Sequence, residues 1–316
     1  MAALGRNLKG ALLALGAFAV FSSHDAAVKA LGASHHAAQI VLFSALFGLP
    51  AALFLIIRER EPATLRPRDP WGVALRSGAV VVGSLCSFFA FSAVPMAQAY
   101  AIFFSTPILV TLLAMPLLGE KVGLRRAVAI AVGMAGVLIV LRPGQASFGI
   151  GHLAALGGAL ASSLVAIMTR KLGGSERTVV LLVYPMLGNI AAMGLAQPFV
   201  YRPVEGVDLL LMIYVAIGAF VAMWLLIAAY RSAEAVIVAP MQYSQIIWAV
   251  VFGLAFFDEM PDLQTLVGAG IVMASGLYIL MRERTLHGAP VAPAAPVAPA
   301  SPPAGQRAGR LVTPPR

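Results

Sequence analysis

Ten apolar segments of about twenty residues, separated by short hinges, fill most of the chain between Gly10 and Met281. The hydrocarbon core of a bilayer is about 30 Å thick, and roughly 20 apolar residues of α-helix cross it. A helix also satisfies its own backbone hydrogen bonds inside hydrocarbon. The pattern therefore predicts an all-α polytopic membrane protein. The predicted transmembrane helices are 10–30, 37–57, 72–93, 95–118, 124–141, 151–170, 178–200, 208–230, 235–257 and 263–281.

The composition agrees with a membrane protein and disfavours other classes. Hydrophobic residues make up 60% of the chain and charged residues 11%, against about 45–50% and about 25% in soluble domains. The net charge of +9 is scattered through the hinges and forms no basic face with interleaved aromatic residues, so we expect no nucleic-acid partner. The single Cys86 leaves no intramolecular disulfide and no cysteine metal site. We expect neither a metal nor a cofactor.

The distribution of Lys and Arg predicts the orientation. With a cytoplasmic N-terminus (1–9), fifteen basic residues fall in inner segments and three, Lys29, Arg142 and Arg202, in outer ones. This bias predicts that both termini lie in the cytoplasm. We expect the membrane to be a bacterial-type inner membrane. We expect Arg76, about one turn into the third span, to extend back to the headgroups. Residues 285–316, rich in Ala and Pro, are predicted to form a disordered cytoplasmic tail.

The two halves of the chain resemble each other. Aligning Glu120 with Glu259 without gaps places Ser105 on Ser244 and Met134-Ala135 on Met273-Ala274. Each predicted repeat, 10–142 and 151–282, has five spans. Because five is odd, the second repeat must cross the membrane in the opposite sense. Inverted repeats around a midplane cavity are typical of secondary transporters.

Two sets of residues have a recognisable pattern. The first is Phe91–Tyr100, Pro107, Leu118–Glu120 and Gly133–Pro143; the second is Ala229–Glu234, Ala239–Tyr243, Trp248, Phe257–Pro261 and Gly268–Gly276. Together they resemble the EamA family of the drug/metabolite transporter superfamily. The resemblance implies a ten-helix carrier of small organic metabolites that uses no ATP, and the chain has no phosphate-binding loop motif to contradict this.

The chain departs from the family pattern at two places. Many relatives have Gly where this chain has Asp258, and close subgroups have an Arg where it has Phe43-Ser44-Ala45. If that Arg contacts substrate in those subgroups, their substrates cannot be transferred to this chain.

The ninth span is the richest in polar residues near the bilayer centre. Gln242, Tyr243, Gln245 and Trp248 follow Pro240, and Gln242, Gln245 and Trp248 are spaced to share one helix side. Two amides and an indole suit an amphipathic solute, so we predict that these four residues bind substrate. The alternative is that they hold neighbouring helices together.

The other predicted substrate-binding residues lie on three further spans. Tyr100 and Thr106 belong to the fourth span, the repeat counterpart of the ninth; Asn189 and Trp224 are weaker candidates in the seventh and eighth. Pro107 frees a backbone carbonyl for solute or simply kinks the helix.

Four acidic or histidine residues are candidates for coupling or gating. His24 and Asp25 lie with Lys29 in the first span, where they serve proton coupling or, alternatively, Asp25 and Lys29 form an intrahelical ion pair. Glu120 and Glu259 end equivalent spans and suit a gate contact or helix termination.

The resulting hypothesis is a secondary transporter in which the two repeats rock around a largely apolar cavity. A passive channel and an intramembrane enzyme are the alternatives; the five His residues form no H-E-x-x-H motif. Amino acids, nucleobases, vitamins such as riboflavin, S-adenosylmethionine-like metabolites and hydrophobic drugs stay open as solutes, whereas phosphates are disfavoured. A coupling ion such as the proton and a homodimer stay open as further partners.

Overall fold

The structure is a computed structural model, and it describes residues 2–57, 65–119, 123–144 and 148–287. The helices are α1 (Ala2–Leu31), α2 (Ala37–Ile57), α3 (Pro70–Ala93), α4 (Met96–Phe103), α5 (Thr106–Leu118), α6 (Leu124–Leu141), α7 (Ile150–Leu172), α8 (Thr178–Val200), α9 (Gly206–Ser232), α10 (Ala235–Val238), a 3₁₀ helix (Ala239–Ser244), α11 (Gln245–Phe257) and α12 (Leu263–His287).

These helices make ten crossings, because α4 and α5 together form the fourth and α10 to α11 form the ninth. Within the described ranges, nine helices are long and apolar enough to cross a membrane, and α2 contributes the shorter apolar stretch Ala37–Pro50. The all-α, ten-helix prediction is confirmed. One boundary was wrong: α12 continues to His287, past the predicted start of the tail at 285, because a helix can continue beyond the point where its apolarity ends. The rest of the tail lies outside the described residues.

Contacts at the helix ends define two faces of the bundle. Glu259 contacts both Lys29 and Met96, and these three residues mark what we call the Lys29 face. Successive crossings then place Asn7 and Gly119 at the opposite end, the Asn7 face. The first repeat begins at the Asn7 face and the second, at Ile150, begins at the Lys29 face. The two repeats are therefore inverted, as the odd number of spans predicted.

The two repeats do not form two separate bodies. α1 packs most extensively against α9, α3 against α7, and α6 against α12, so the major helix contacts join one repeat to the other. α2 packs against both α8 and α9, and α8 also packs against α3. We distinguish two mixed groups, α1–α2–α9 and α3–α7–α8, each drawn from both repeats and joined to each other where α2 packs on α8.

Two aspartates at corresponding repeat positions, Asp208 and Asp69, make different contacts at opposite faces of the bundle. Asp208, in the first turn of α9, accepts hydrogen bonds from Ser34 at 3.2 Å and pairs with His35 at 2.8 Å. Asp69, the N-cap of α3, donates its backbone N–H to Glu176 at 2.5 Å. Asp69 and Asp208 are 139 residues apart, the same offset as Glu120 and Glu259.

Arg76 does not extend to the headgroups, which corrects the expectation above. Its side chain is 1% exposed, and its guanidinium donates to the Thr169 hydroxyl at 2.8 Å and to the Leu181 carbonyl at 2.7 Å. Burying a cation is costly unless hydrogen bonds replace water. Acceptors on α7 and α8 bind Nε and Nη1 and join both helices to α3, while Nη2 has no partner among the described residues.

Candidate functional site

The fourth and ninth spans are both broken near their centres. α4 ends at Phe103 and α5 begins at Thr106, followed by Pro107; the ninth span passes through its 3₁₀ helix, which contains Pro240. Proline lacks a backbone N–H and so interrupts the helical hydrogen bonds. The rings of Phe104 and Tyr243, which align in the two repeats, meet edge to face with centroids 5.1 Å apart. The two breaks therefore face each other in the middle of the bundle.

A polar cluster lies beside these breaks. The Tyr100 hydroxyl donates to the Asp25 carboxylate and lies 3.2 Å from the Ser22 hydroxyl. His24 Nδ1 is 2.8 Å from the other carboxylate oxygen of Asp25, and the Gln245 side chain lies beside the Tyr100 hydroxyl. We call Ser22, His24, Asp25, Tyr100 and Gln245 the Asp25 cluster. It joins three spans from both repeats.

The cluster is buried but not sealed. Tyr100 is 3% and Gln245 8% exposed, whereas the Asp25 side chain keeps 15% of its surface exposed. Asp25 is thus a carboxylate inside the bundle whose hydrogen-bonding neighbours in the described part of the chain are a phenol and an imidazole. A buried carboxylate needs such partners, because desolvation of an ion is expensive.

Lys29 bonds to other groups, which corrects the alternative of an intrahelical pair with Asp25. Its ammonium group is 2.8 Å from Glu259 and 2.9 Å from the Val94 carbonyl oxygen, and it lies 5.4 Å from the centre of the Phe257 ring. The i, i+4 spacing allowed contact with Asp25. The flexible lysine side chain reaches a carboxylate and carbonyls at the Lys29 face instead.

Glu259 joins both repeats at the Lys29 face. One carboxylate oxygen pairs with Lys29, and the other accepts the backbone N–H of Met96, at the start of α4, at 3.1 Å. We call this group, Lys29, Glu259 and the Met96 N–H, the Glu259 latch. It links the ends of α1 and α11 to the start of α4. Glu120, the predicted counterpart, lies outside the described residues.

The fourth and ninth spans pack together near the Lys29 face and diverge near the Asn7 face. α4 and α11, the halves nearer the Lys29 face, pack directly together. The halves nearer the Asn7 face have different neighbours: α5 packs against α7, and the 3₁₀ helix against α1. The two broken spans therefore contact each other mainly near the Lys29 face, where the Glu259 latch also lies.

Several predicted residues lie at the ninth-span break. Gln242, Tyr243 and Trp248 are half-buried, and the Trp248 ring stacks on Phe252 with centroids 6.1 Å apart. The Tyr243 and Ser244 hydroxyl oxygens are buried, with no hydrogen-bond partner among the described residues. The Tyr243 hydroxyl lies against Gly276 of α12.

Two predicted substrate residues, Asn189 and Trp224, lie apart from this site, whereas Thr106 lies at the fourth-span break with its hydroxyl bonded within its own span. The Thr106 hydroxyl donates to the Phe103 carbonyl at 2.7 Å. Asn189 accepts from Ser84 at 2.9 Å and so joins α8 to α3. Trp224 is 63% exposed and belongs to the apolar face of α9 that includes Ile217, Phe220 and Val221.

Sequence reasoning missed two members of the site. Ser22 was not among the predicted residues, although it begins the polar run Ser22–Asp25 within an apolar helix. Phe104 was missed as well, although the repeat offset places it on Tyr243. In the described residues, no group of three His, Cys, Asp or Glu side chains could hold a metal ion.

Inverted five-helix repeats with broken helices that meet at the centre define a membrane transporter. The model of the EamA-like transporter family matches residues 8–142 and again residues 149–281. The chain belongs to the EamA-like transporter family. The names of the family and of its relatives point to transport and not to catalysis.

Three relatives that the chain resembles are also named as transporters. The chain is 31% identical to a riboflavin transporter of Rhizobium johnstonii over 76% of this chain and 78% of that one. It is 24% identical to an S-adenosylmethionine uptake transporter of Rickettsia felis over 83% and 89%, and 25% identical to a pseudopaline exporter of Pseudomonas aeruginosa over 84% and 94%. A solved crystal structure with 18% identity, covering 88% of this chain and 99% of its own, shares the fold with a TM-score of 0.59.

Proposed function

We propose that this protein is a secondary carrier that moves a small organic solute across a bacterial inner membrane by alternating access. The observation that carries the proposal is the meeting of two broken spans, one from each repeat, beside a buried polar cluster. The relatives are named for riboflavin, S-adenosylmethionine and pseudopaline, which are all small organic molecules. They support the class of solute and not one compound.

We propose an inward-facing state for the structure. The excess of Lys and Arg on the segments of the Asn7 face supports a cytoplasmic location for that face and for both termini. The Glu259 latch then closes the external side, and the divergence of α5 from the 3₁₀ helix opens toward the cytoplasm. To face outward, the mixed groups α1–α2–α9 and α3–α7–α8 must rock until α4 and α11 separate, which breaks the latch.

The proposed solute contacts are Gln242, Tyr243, Gln245, Trp248 and Tyr100. Their amides and hydroxyls can fix polar groups of a solute, and their rings can stack on its apolar part. Asp25 and His24 are proposed to take part in proton coupling, since they are hydrogen-bonded titratable groups inside the bundle. Thr106, Asn189 and Trp224 are not included, because their surroundings account for them without a solute.

A flux assay in proteoliposomes tests the site. Gln245→Ala and Trp248→Ala should lower the rate of saturable uptake by about tenfold or more, since each removes a direct contact. Trp224→Ala is the matched control, because it removes the same ring from the exposed face of α9 and should leave uptake near wild type. Wild-type kinetics in both site variants would remove these residues from the proposal, and flux without saturation would indicate a channel.

A labelling assay tests the latch. With Cys86→Ser and Ser22→Cys in the same chain, Glu259→Gln should increase the reaction of Cys at position 22 with a membrane-impermeant maleimide added outside. The neutral amide cannot pair with Lys29, so the closed state loses stability. Glu205→Gln changes an exposed carboxylate on the same face and should have no effect. Equal labelling in all variants would contradict a latch that closes the external side.

A further inference from the structure

We infer that the solutes of this carrier are organic cations, and that Asp25 binds their positive group. The inference rests on the proposed carrier function and adds the chemical class of the solute. Its basis is the Asp25 carboxylate beside the crossing of the broken spans, with polar but uncharged or weakly basic neighbours. The Asp25 cluster has an acceptor for a cation and no fixed cation of its own.

The charged and titratable groups around Asp25 support this assignment. On α1 these are His24 and Lys29, and the Lys29 ammonium is held by Glu259 and the Val94 carbonyl. From α4 comes the Tyr100 phenol, and α9 contributes the Tyr214 phenol, which bonds Ser23 at 2.6 Å. α11 contributes the amide of Gln245 at the cluster, and Glu259, just past the end of α11, is already in the latch.

Asp25 has room for another donor. An ionised carboxylate offers about four acceptor positions on its two oxygens. His24 occupies one on the first oxygen and Tyr100 one on the second, and 15% of the side-chain surface is exposed. An ammonium group with three donors can therefore bond Asp25 without displacing either neighbour.

The aromatic rings around the cluster favour a positive solute as well. The ring centroids of Phe91 and Phe103 are 5.4 Å apart, those of Tyr100 and Phe91 are 5.2 Å apart, and those of Phe104 and Tyr243 are 5.1 Å apart. Ring faces attract cations and also stack on apolar groups. An anion would meet the Asp25 carboxylate with no cationic side chain of the Asp25 cluster to offset it. A solute with a protonated amine and an aromatic part fits both features.

Three probes of nearly equal shape and different charge test the inference. Tryptamine is a cation, tryptophol is neutral and indole-3-propionate is an anion. Binding to the purified full-length protein in nanodiscs is measured by calorimetry. Tryptamine should bind about tenfold or more tightly than tryptophol, the expected difference for one charge-assisted hydrogen bond, and indole-3-propionate should bind least. Equal affinities, or no binding of tryptamine, would overturn the inference.

Variants assign the preference to Asp25. Asp25→Asn should remove the advantage of tryptamine over tryptophol, whereas Asp25→Glu should keep it. Asp258→Asn, which changes an exposed carboxylate, is the control and should behave as wild type. A preference for tryptamine that survives in Asp25→Asn would overturn the assignment.

The comparison of the three probes uses the unmodified chain, so the test stays decisive if Asp25→Asn does not fold. Saturable, gradient-driven flux of a neutral or anionic solute would refute the cation class and leave the carrier function intact. Failure of this inference can therefore be distinguished from failure of the proposed carrier function.

Discussion

The fourth and ninth spans have the same break at the same repeat position, but their packing differs. Phe104 is 2% exposed, and the buried Ser105 hydroxyl donates to the Ile102 carbonyl at 2.6 Å. At the equivalent positions, the buried hydroxyls of Tyr243 and Ser244 have no partner among the described residues. In the fourth span 44% of the apolar stretch is buried inside the protein, against 17% of the apolar stretch of the ninth span.

The difference indicates which span changes its partners during transport. A buried polar group without a hydrogen bond costs about 1–3 kcal/mol, so the ninth span has unused interactions in the present state. Solute binding, or the opposite access state, can supply them. The fourth span has its polar groups satisfied and its rings packed. We therefore expect the fourth span to act as the fixed surface and the ninth to move against it.

The largest effect should separate Phe104→Ala from Tyr243→Ala. Loss of a fully buried phenyl ring leaves a cavity and typically costs about 3–5 kcal/mol, so Phe104→Ala should strongly lower the thermal unfolding temperature in detergent. Tyr243→Ala removes a half-buried ring together with an unpartnered hydroxyl and should cost less than half as much. Equal losses in thermal scans of the two variants would refute the difference between the spans.

A smaller effect concerns the residues that end the two spans. Gly119 and Asp258 both adopt left-handed backbone conformations, with φ of 70° and 57°. Glycine adopts this conformation without strain, while other residues pay about 1–2 kcal/mol. Gly119→Ala should therefore destabilise the protein by about 1 kcal/mol, and Asp258→Gly should stabilise it by somewhat less. Chemical denaturation measures both, and a gain in Gly119→Ala would contradict the assignment.

The same comparison shows what the sequence could predict. Pro107 and Pro240 indicated both breaks, and the gapless alignment of the two repeats paired Ser105 with Ser244 from residue identities alone. Asp258, where the chain departs from the family pattern, lies at a position with positive φ, which glycine adopts without strain.

Side-chain partners could not be predicted in the same way. Asp25 and Lys29 are correctly spaced for an ion pair, but acceptors from the ends of α3 and α11 bind the lysine. The sequence could not place the weaker candidate Trp224, because α9 is apolar on all sides and has no stripe that distinguishes the lipid face from the interior. Arg76 looked like a residue at the membrane surface because the acceptors on α7 and α8 come from distant parts of the chain.

A third pair of substitutions tests only whether the serine hydroxyl of each span forms a hydrogen bond. Ser105→Ala removes a formed hydrogen bond and should cost about 0.5–1.5 kcal/mol. Ser244→Ala removes a buried oxygen without a partner among the described residues and should be neutral or slightly stabilising, because the desolvation cost disappears with the hydroxyl. Thermal unfolding of both variants, with Ser175→Ala as an exposed control, measures the difference. A loss in Ser244→Ala as large as in Ser105→Ala would show that Ser244 has a partner in the protein.

The smallest effect lies where the two spans lead into the next helix. Asp262 caps α12 by accepting the Thr265 N–H at 2.9 Å and also pairs with Arg142, whereas the equivalent Gly123 makes no side-chain cap. The bond from Arg142 lowers the pKa of Asp262 to about 2. Because the carboxyl is held below its ordinary pKa, the stabilisation is complete above about pH 4 and is lost as the pH falls toward 2.

The size of this pH effect is limited by solvent. The Asp262 side chain is 46% exposed, and exposed pairs contribute about 0–1 kcal/mol, so the change in unfolding free energy between about pH 4 and pH 2 should be a few tenths of a kcal/mol. Asp262→Asn keeps an N-cap acceptor and should differ from wild type only in lacking this pH-dependent increment. Asp262→Ala loses the cap as well and should be less stable at every pH by about 1 kcal/mol. Identical curves of stability against pH for Asp262→Asn and Asp262→Ala would mean that Asp262 provides no N-cap to α12, as Gly123 provides none to α6.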